Sequence, residues 1–255
     1  MDKRFEFGKN WLKYIEKISD FHVNEATNSV KKLIKQENLN NLEFCDVGAG
    51  SGLFSLAAYK LGANVHSFDY DSNCVNSIKI LRNKYSKENS NWKVGQGSIL
   101  DKNYLSSIGK FDYVYSWGVL HHTGNLLQSL HNIDLIVKDN GYLIIAIYNK
   151  QFLLSNYWKI IKKIYVWAKA LRPLIFFIHL PMIIPALIKS MILNIKMPRG
   201  MLILNDYIDW IGGFPFEVAS RQEIIELYHK KGYELKEVIS VNNSLGCNEF
   251  VFKKY

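Results

Sequence analysis

The letters FCDVGAGSGLFS stand at positions 44–55 and carry the strongest structural signal in the sequence. A short apolar run contains Asp46, and an apolar, helix-like segment occupies positions 53–61. Between them, three glycines alternate with other residues: Gly48, Gly50 and Gly52. The pattern predicts a strand, a tight turn and a helix, with a ligand lying on the glycine backbone at the carboxyl end of the strand.

The charge and spacing of this turn restrict the ligand. A dinucleotide fingerprint has a third glycine three positions after the second, but Leu53 or Ser55 stands there, depending on the starting glycine. Asp46 would also repel the oxygens of a pyrophosphate, since both carry negative charge. The same carboxylate suits a cationic ligand, so we expect a nucleotide-like molecule with a positive charge.

The turn resembles the first motif of class I S-adenosylmethionine (SAM)-dependent methyltransferases, an acid followed by Gly-x-Gly-x-Gly. SAM has an ammonium, a sulfonium and no phosphate, in agreement with the charge argument. The resemblance covers nearly the whole chain and extends to a bacterial subgroup similar to ubiquinone-type O-methyltransferases, several of which are associated with surface-polysaccharide modification. Its motifs are GSGLFS from Gly50, SFDYD from Ser67, YSWGVLHHTG from Tyr115, IYN from Ile147, RGM from Arg199, DWxGG from Asp209, PFEVA from Pro215 and GCNEFVF from Gly246.

Alternating apolar and helical segments predict an α/β fold. We expect a Rossmann-like, seven-stranded, mostly parallel sheet with an antiparallel last strand, preceded by N-terminal helices over residues 5–36 and interrupted by a helical lid insertion. The predicted strands are 44–47, 64–68, 92–95, 111–116, 141–148, 233–241 and 249–253. The predicted divisions are 1–149 for the N-terminal helices and SAM-binding core, 150–213 for the insertion and 214–255 for the rest of the core.

Several residues are expected to hold the cofactor besides Asp46 and the three glycines. Asp69 ends the second strand, 21 residues after Gly48, where an acid accepts hydrogen bonds from ribose hydroxyls. Tyr70 would flank the adenine, and Asp71 is expected to cap the following helix.

The resemblance implies further cofactor contacts. Ser98 and Ile99 would hold the adenine edge after the third strand, with Asp101 either substituting for Ser98 or starting the next helical turn. Tyr14, in the N-terminal helical segment, and Trp117, after the fourth strand, are expected beside the cofactor.

A histidine pair lies in the loop after the fourth strand. His121 and His122 are adjacent groups that titrate near neutral pH, so one of them, preferably His121, is predicted to be the base that removes a proton from a hydroxyl acceptor. The alternative is a structural or cofactor contact. Tyr148, at the end of the fifth strand, is a further catalytic candidate.

Four scattered polar residues are predicted to contact the acceptor: Asn149, Arg199, Glu217 and Asn248. Arg199 beside Gly200 would form a fork for a phosphate or a carboxylate. No set of His, Asp, Glu or Cys has metal-ligand spacing, so no metal is expected.

The positive charge of the chain is concentrated in one segment. The formal net charge is +9, and residues 150–200 contain no Asp or Glu although they contain nine Lys and Arg. Residues 173–188 carry no formal charge but are too short and too interrupted by proline for a transmembrane helix. The segment is interpreted as a lid or homodimer face, or as a peripheral contact with anionic lipid; a nucleic-acid surface is disfavoured because the segment is too apolar.

The sequence as a whole favours a cytoplasmic SAM-dependent methyltransferase. Three isolated cysteines indicate a reducing compartment, and the first ten residues lack the apolar region of a signal peptide. The expected reaction is O-methyl transfer to a small polar or anionic acceptor, such as a sugar, phosphate or phosphoramidate intermediate of capsule or surface-polysaccharide synthesis. Two alternatives stay open: a quinone-like lipophilic acceptor at the membrane, and a non-catalytic SAM-binding partner subunit.

Overall fold

The computed structural model describes residues 4–86, 91–185, 188, 203–242 and 244–255. The strands of the described residues are β1 (Glu43–Val47), β2 (Asn64–Asp69), β3 (Trp92–Gln96), β4 (Phe111–Trp117), β5 (Val137–Tyr148), β6 (Tyr233–Ile239) and β7 (Cys247–Lys254). The helices are α1 (Phe7–Ile15), α2 (Asp20–Ile34), α3 (Leu53–Lys60), α4 (Ser72–Tyr85), α5 (Lys102–Ile108), α6 (Leu126–Asn132), α7 (Phe152–Trp167), α8 (Arg172–His179), α9 (Ile203–Gly212) and α10 (Arg221–His229).

All seven strands join one sheet in the order β3-β2-β1-β4-β5-β7-β6. Strands β1 to β5 pair in parallel, whereas β7 is antiparallel to both β5 and β6. The chain runs outward from β1 to β3 and then returns to the other side of β1 at β4, so the direction of winding reverses between β1 and β4. In open α/β sheets, ligands bind at this reversal, outside the carboxyl ends of the strands. The predicted fold class is confirmed.

The helices cover both faces of the sheet and complete two buried apolar clusters. One contains Phe44 and Ile78 with the inner residues of α2 to α4, and the other contains Val114 and Ile145 with those of α6 and α10. A third cluster joins α7, α8 and α9 to Phe216. The described part of the insertion therefore packs against the core beyond the end of β5.

The N-terminal helices predicted over 5–36 are α1 and α2, and α2 begins after Ser19, whose backbone N–H donates to His22 Nδ1 (3.2 Å). One expectation about a helix is wrong. The spacing of Trp158 and Tyr165 along one apolar face predicts Lys162 elsewhere on α7, but Lys162 lies on that buried face, one turn from each.

Candidate active site

A cavity of about 1030 Å³ lies at the carboxyl ends of β1, β2 and β4. Its walls come from the glycine turn, α1, the loop after β4 and α9. One end is formed by residues after β1 and β2, and the other by His122, Tyr148 and Trp210. Small-molecule pockets usually occupy roughly 300–1,000 Å³. The cavity therefore has room for a cofactor and an acceptor together.

Two positions of the turn require glycine, because their φ angles are positive and because neighbouring side chains leave little room for a Cβ. Gly48 and Gly50 have φ of +70° and +56°, the left-handed region that side chains disfavour. A Cβ at Gly48 would lie 2.3 Å from Val119 Cγ1, and one at Gly50 would lie 3.2 Å from the Trp11 ring. Both residues line the cavity, whereas Gly52 does not, since it begins α3 and packs against Ile78.

Asp69 lies at the end of β2, on the cavity wall. Its Oδ2 accepts from the Gly50 backbone N–H (3.0 Å) and its Oδ1 from the Asp71 N–H (2.9 Å). Burial raises the pKa of Asp69 to about 6, although these two hydrogen bonds act in the opposite direction. The carboxylate is thus held rigidly between the two turns that a nucleoside would contact.

Asp46 is the buried acid beneath the glycine turn. Trp92 Nε1 donates to Ser67 Oγ (2.7 Å), Ser67 donates to Ser55 (2.7 Å), and Ser55 donates to Asp46 Oδ2 (2.5 Å). Burial raises the pKa of Asp46 to about 7, and the nearby Asp69 charge adds to that effect. A cationic ligand in the cavity would favour the ionised form of Asp46, as the sequence predicts.

Helix α1 covers one side of the cavity with Trp11 and Tyr14. Two polar contacts fix its position: the Gly8 N–H donates to Asp71 Oδ2 (3.1 Å), and Asn10 Nδ2 donates to Asp209 Oδ1 (2.6 Å). The expected location of Tyr14 beside the cofactor position agrees with this arrangement.

The remaining cofactor candidates also lie on the cavity. Tyr70, Ser98, Ile99 and Trp117 all line it, and Tyr70 is 63% exposed beneath the Arg4 guanidinium (5.2 Å to the ring centre). Asp101 reaches the cavity but also caps α5, accepting from Asn103 N and Tyr104 N. Asp71 caps α4, as expected from the sequence, accepting from Asn73 N (2.8 Å).

The two histidines of the loop after β4 have different surroundings. His121 has no exposed surface, lies under the Tyr148 ring (3.9 Å between centres) and does not line the cavity. His122 does line the cavity. Because His121 cannot reach an acceptor, the sequence-based preference for it over His122 is corrected.

His122 is oriented by a single hydrogen bond. Its Nδ1 lies 2.7 Å from the carbonyl oxygen of Pro215, which can only accept, so the proton belongs on Nδ1 and Nε2 keeps its lone pair. Burial and the nearby Lys162 charge lower the pKa of His122 to about 3, despite the opposing bond to Pro215. The ring is therefore neutral over the physiological pH range and available to accept a proton.

The acceptor end also contains one acid and one aromatic residue that the sequence analysis did not select as site residues. Asp209 and Trp210 of α9 line the cavity next to Tyr148. Burial raises the pKa of Asp209 to about 7, opposed by the Asn10 hydrogen bond and the Lys162 charge. The motif DWxGG contained both residues, but its place in the fold was needed to give them a role.

The predicted acceptor contacts do not meet at the cavity. Asn149 and Asn248 bond to each other (3.1 Å) and to the chain near Asn242, and Glu217 accepts from the Leu126 N–H (3.0 Å) at the start of α6. These three residues stabilise loops and do not line the cavity, so the prediction that they bind the acceptor is corrected. Arg199 lies outside the described residues.

The fold is Rossmann-like, and its cavity lies at the carboxyl edge of the sheet. A family profile described as a methyltransferase domain matches residues 14–209, more than half of the chain. The chain belongs to this methyltransferase family.

Curated relatives match only part of the chain. The ubiquinone biosynthesis O-methyltransferase of Rickettsia akari is 33% identical over 44% of this chain and 43% of its own length. The ribosomal protein L11 methyltransferase of Campylobacter fetus is 35% identical over 48% of this chain and 42% of its own length. The chain thus spans less than half the length of these relatives, and their acceptors differ.

Solved structures show the same fold at low identity. The magnesium protoporphyrin IX methyltransferase of Synechocystis PCC 6803 with bound S-adenosylhomocysteine has a TM-score of 0.56 and 14% identity, covering 92% of this chain and 84% of its own. A Haloferax volcanii putative methyltransferase structure, solved in complex with the Trm112 activator, has a TM-score of 0.57 and 13% identity and covers 99% of both chains.

Proposed function

We propose that this methyltransferase transfers the methyl group to the hydroxyl of a planar, phenol-like acceptor, with His122 as the base. The observation that carries the proposal is the position of His122 on the cavity wall, with its Nδ1 bonded to the Pro215 carbonyl so that Nε2 is the nitrogen left to accept a proton. Bound SAM supplies an electrophilic methyl group on its sulfonium, and the protein has to align the acceptor and take its proton.

The proposed cofactor contacts follow from the cavity lining. Asp69 would accept from the ribose hydroxyls, Asp46 would attract the cationic part of SAM, and the backbone of Gly48 and Gly50 would lie against it. Tyr70, Ser98 and Ile99 would flank the adenine. The buried carboxyl groups of Asp46 and Asp69 suit the positive charge of SAM, and the glycine turn leaves its backbone accessible to the cofactor.

The weak basicity of His122 favours an acidic hydroxyl. A phenol, with a pKa of about 10, releases its proton more readily than a hydroxyl as weakly acidic as water, at about 15.7, and this difference matters most when burial makes the accepting imidazole a weak base. The proton would leave the acceptor oxygen for Nε2 as the methyl–oxygen bond forms. A phenol or enol is therefore a better acceptor here than a sugar hydroxyl.

The walls at the acceptor end support the same choice. Tyr148, Trp210 and Phe214 present aromatic surface, and the nearest acid is Asp209. Arg4 is directed to the other end, over Tyr70. An anionic sugar or phosphate would meet Asp209 and no cation among the described lining residues of this end. That acceptor class remains the second candidate because of the resemblance to polysaccharide-modifying proteins and because of Arg199.

An acceptor screen with radiolabelled SAM tests the proposal. We expect catechols and hydroxylated quinols to be methylated on oxygen, and sugar phosphates to be inert. In the same assay His122→Gln should lower kcat by about 10²-fold or more, because general-base catalysis contributes that much, while SAM affinity changes less than about twofold. The matched control is His131→Gln, an exposed histidine on α6. Methylation of sugar phosphates alone, or undiminished turnover by His122→Gln, would contradict the proposal.

A further inference from the structure

The outer face of α7 and α8 is apolar and exposed, although both helices also have a buried face. We define the outer face by the exposed side chains Phe152, Leu153, Ile160, Trp167, Leu174, Phe177 and Ile178. Phe152 is 84% exposed and Leu153 is 75% exposed. Single exposed apolar residues are ordinary, but a group of this size on two consecutive helices indicates an interaction surface.

The geometry of α7 separates two apolar stripes. Trp158 and Tyr165 point into the third cluster, whereas Leu153, Ile160 and Trp167 follow one another at intervals of seven residues on the opposite side. At 100° per residue these two stripes are roughly 150° apart. The inner stripe accounts for how α7 packs on the protein, whereas Leu153 and Ile160 of the outer stripe are mostly exposed.

Cations flank the outer stripe. Lys159 and Lys163 are exposed and lie within about 100° of Ile160 around the helix, and Lys169 is exposed in the turn before α8. The sequence has no acidic residue between positions 150 and 200. Within residues 150–200 the surface therefore combines aromatic and aliphatic anchors with positive charge, and the acid Glu6 lies near Lys169 at its edge.

We propose that the outer face of α7 and α8 docks on an anionic lipid bilayer, lying in its interface. Interfacial helices have this combination of large apolar side chains and neighbouring lysines, and lysines near an anionic surface are attracted to it. No helix of the described residues is long and apolar enough to cross a membrane. The surface would therefore rest on the bilayer without spanning it.

A second copy of the chain is a poorer occupant. In a two-fold dimer the same patch faces itself, so the lysines of both copies would lie in one interface while residues 150–200 supply no acid to pair with them. A bilayer supplies the opposite charge and adapts its shape to the protruding side chains. The proposal does not depend on which acceptor is methylated.

Vesicle cosedimentation of the full chain tests the docking surface. We expect the protein to sediment with vesicles of phosphatidylcholine containing one third phosphatidylglycerol, at least tenfold more than with phosphatidylcholine alone, and to be released by salt. The double variant Phe152→Ser/Leu153→Ser and the charge reversal Lys159→Glu/Lys163→Glu should each lose most of this binding. The matched control is Lys79→Glu/Ile80→Ser, which changes an exposed lysine and an exposed isoleucine on α4 and should bind like the parent.

Two further measurements keep the outcome decisive. SAM affinity of each variant, measured by calorimetry, shows that the variant is folded, because the substituted residues lie outside the cavity. Light scattering without lipid reports the oligomeric state. Equal sedimentation of the parent and the two outer-face variants would overturn the proposal, and so would a dimer that Phe152→Ser/Leu153→Ser dissociates while the parent ignores anionic vesicles.

Discussion

Single buried charges determine the electrostatics of this site. The Asp69 charge raises the cost of ionising Asp46, and Asp46 has Ser55 as its polar side-chain contact. Ionising these carboxyl groups costs free energy in the free protein, and a bound cation would reverse that cost. We therefore expect the two acids to contribute to binding of a cationic ligand rather than to the stability of the free protein.

The first prediction concerns Asp46 and pH. Its pKa of about 7 in the free protein means that SAM, which favours the carboxylate, must displace a proton below that pH. We expect the Kd for SAM to rise by up to tenfold per pH unit as the pH falls from 7 toward about 6, where Asp69 begins to contribute as well. Calorimetry across this range checks it. In Asp46→Asn the Kd for SAM should no longer depend on pH above pH 6, and binding at pH 8 should weaken at least tenfold. A Kd of the parent protein that stays unchanged across the range would contradict the prediction.

The second prediction concerns Lys162, a fully buried cation between the Trp210 ring (4.2 Å) and the Phe216 ring (4.9 Å). Burial lowers its pKa from 10.5 to about 7, with the Asp209 charge opposing the shift. Between pH 7 and 10.5 the unfolded chain holds a proton that the folded protein lacks, so this residue makes stability rise with pH there.

Lys162→Met should therefore raise the free energy of unfolding most below pH 7, and its advantage should shrink as the pH approaches 10. Each unit of pKa shift corresponds to about 1.4 kcal/mol. Urea unfolding at several pH values measures the difference, with the exposed Lys163→Met as control. A destabilised variant at every pH would show that the aromatic contacts of Lys162 outweigh the cost of its burial.

Among the elements, α1 covers the cavity and packs closely against α4. The Gly8 N–H bonds to Asp71, and the helix lies against α4 so closely that a Cβ at Gly8 would be 2.4 Å from Asp71 Oδ2. Asp71 cannot move freely, because it also caps α4. The third prediction follows from this packing.

Gly8→Ala should push α1 away from α4 and open the cavity, weakening SAM binding about tenfold, which is close to 1.4 kcal/mol. The control Lys9→Ala removes only an exposed ion pair with Glu6 and should change neither SAM affinity nor unfolding measurably. Calorimetric titration of both variants decides the matter. Parental affinity in Gly8→Ala would mean that α1 does not form part of the cofactor site.

At the scale of the molecule, cofactor binding should couple to unfolding, since the site joins β1, β2, α1 and α9. Ligand at a hundredfold excess over Kd adds about 2.7 kcal/mol to the free energy of unfolding. For a chain of this size that corresponds to a rise in Tm of roughly 5–10 °C. Thermal unfolding should show this shift for the parent and for Asp139→Ala, an exposed acid, and no shift for Asp69→Ala. An equal shift in Asp69→Ala would remove that residue from the cofactor site.

The strands and the glycine turn could be predicted from the sequence, because each depends on a short stretch of chain. Periodicity indicated seven strands, and the glycine turn with Asp46 indicated the charge of the ligand, because both depend on neighbouring residues along one strand and one turn. The cofactor residues of this region lie together since each follows the end of a strand in the same half of the sheet.

Local patterns in the sequence were enough to predict the fold and a cationic ligand, whereas the arrangement of the acceptor end depends on tertiary contacts. His121 and His122 are adjacent letters, yet one is buried under Tyr148 and the other faces the cavity. Asp209 reaches the cavity from 61 residues beyond β5, and Asn149 turns toward Asn248 instead. The direction of a loop side chain depends on contacts with distant segments, and no spacing rule along the chain records those contacts.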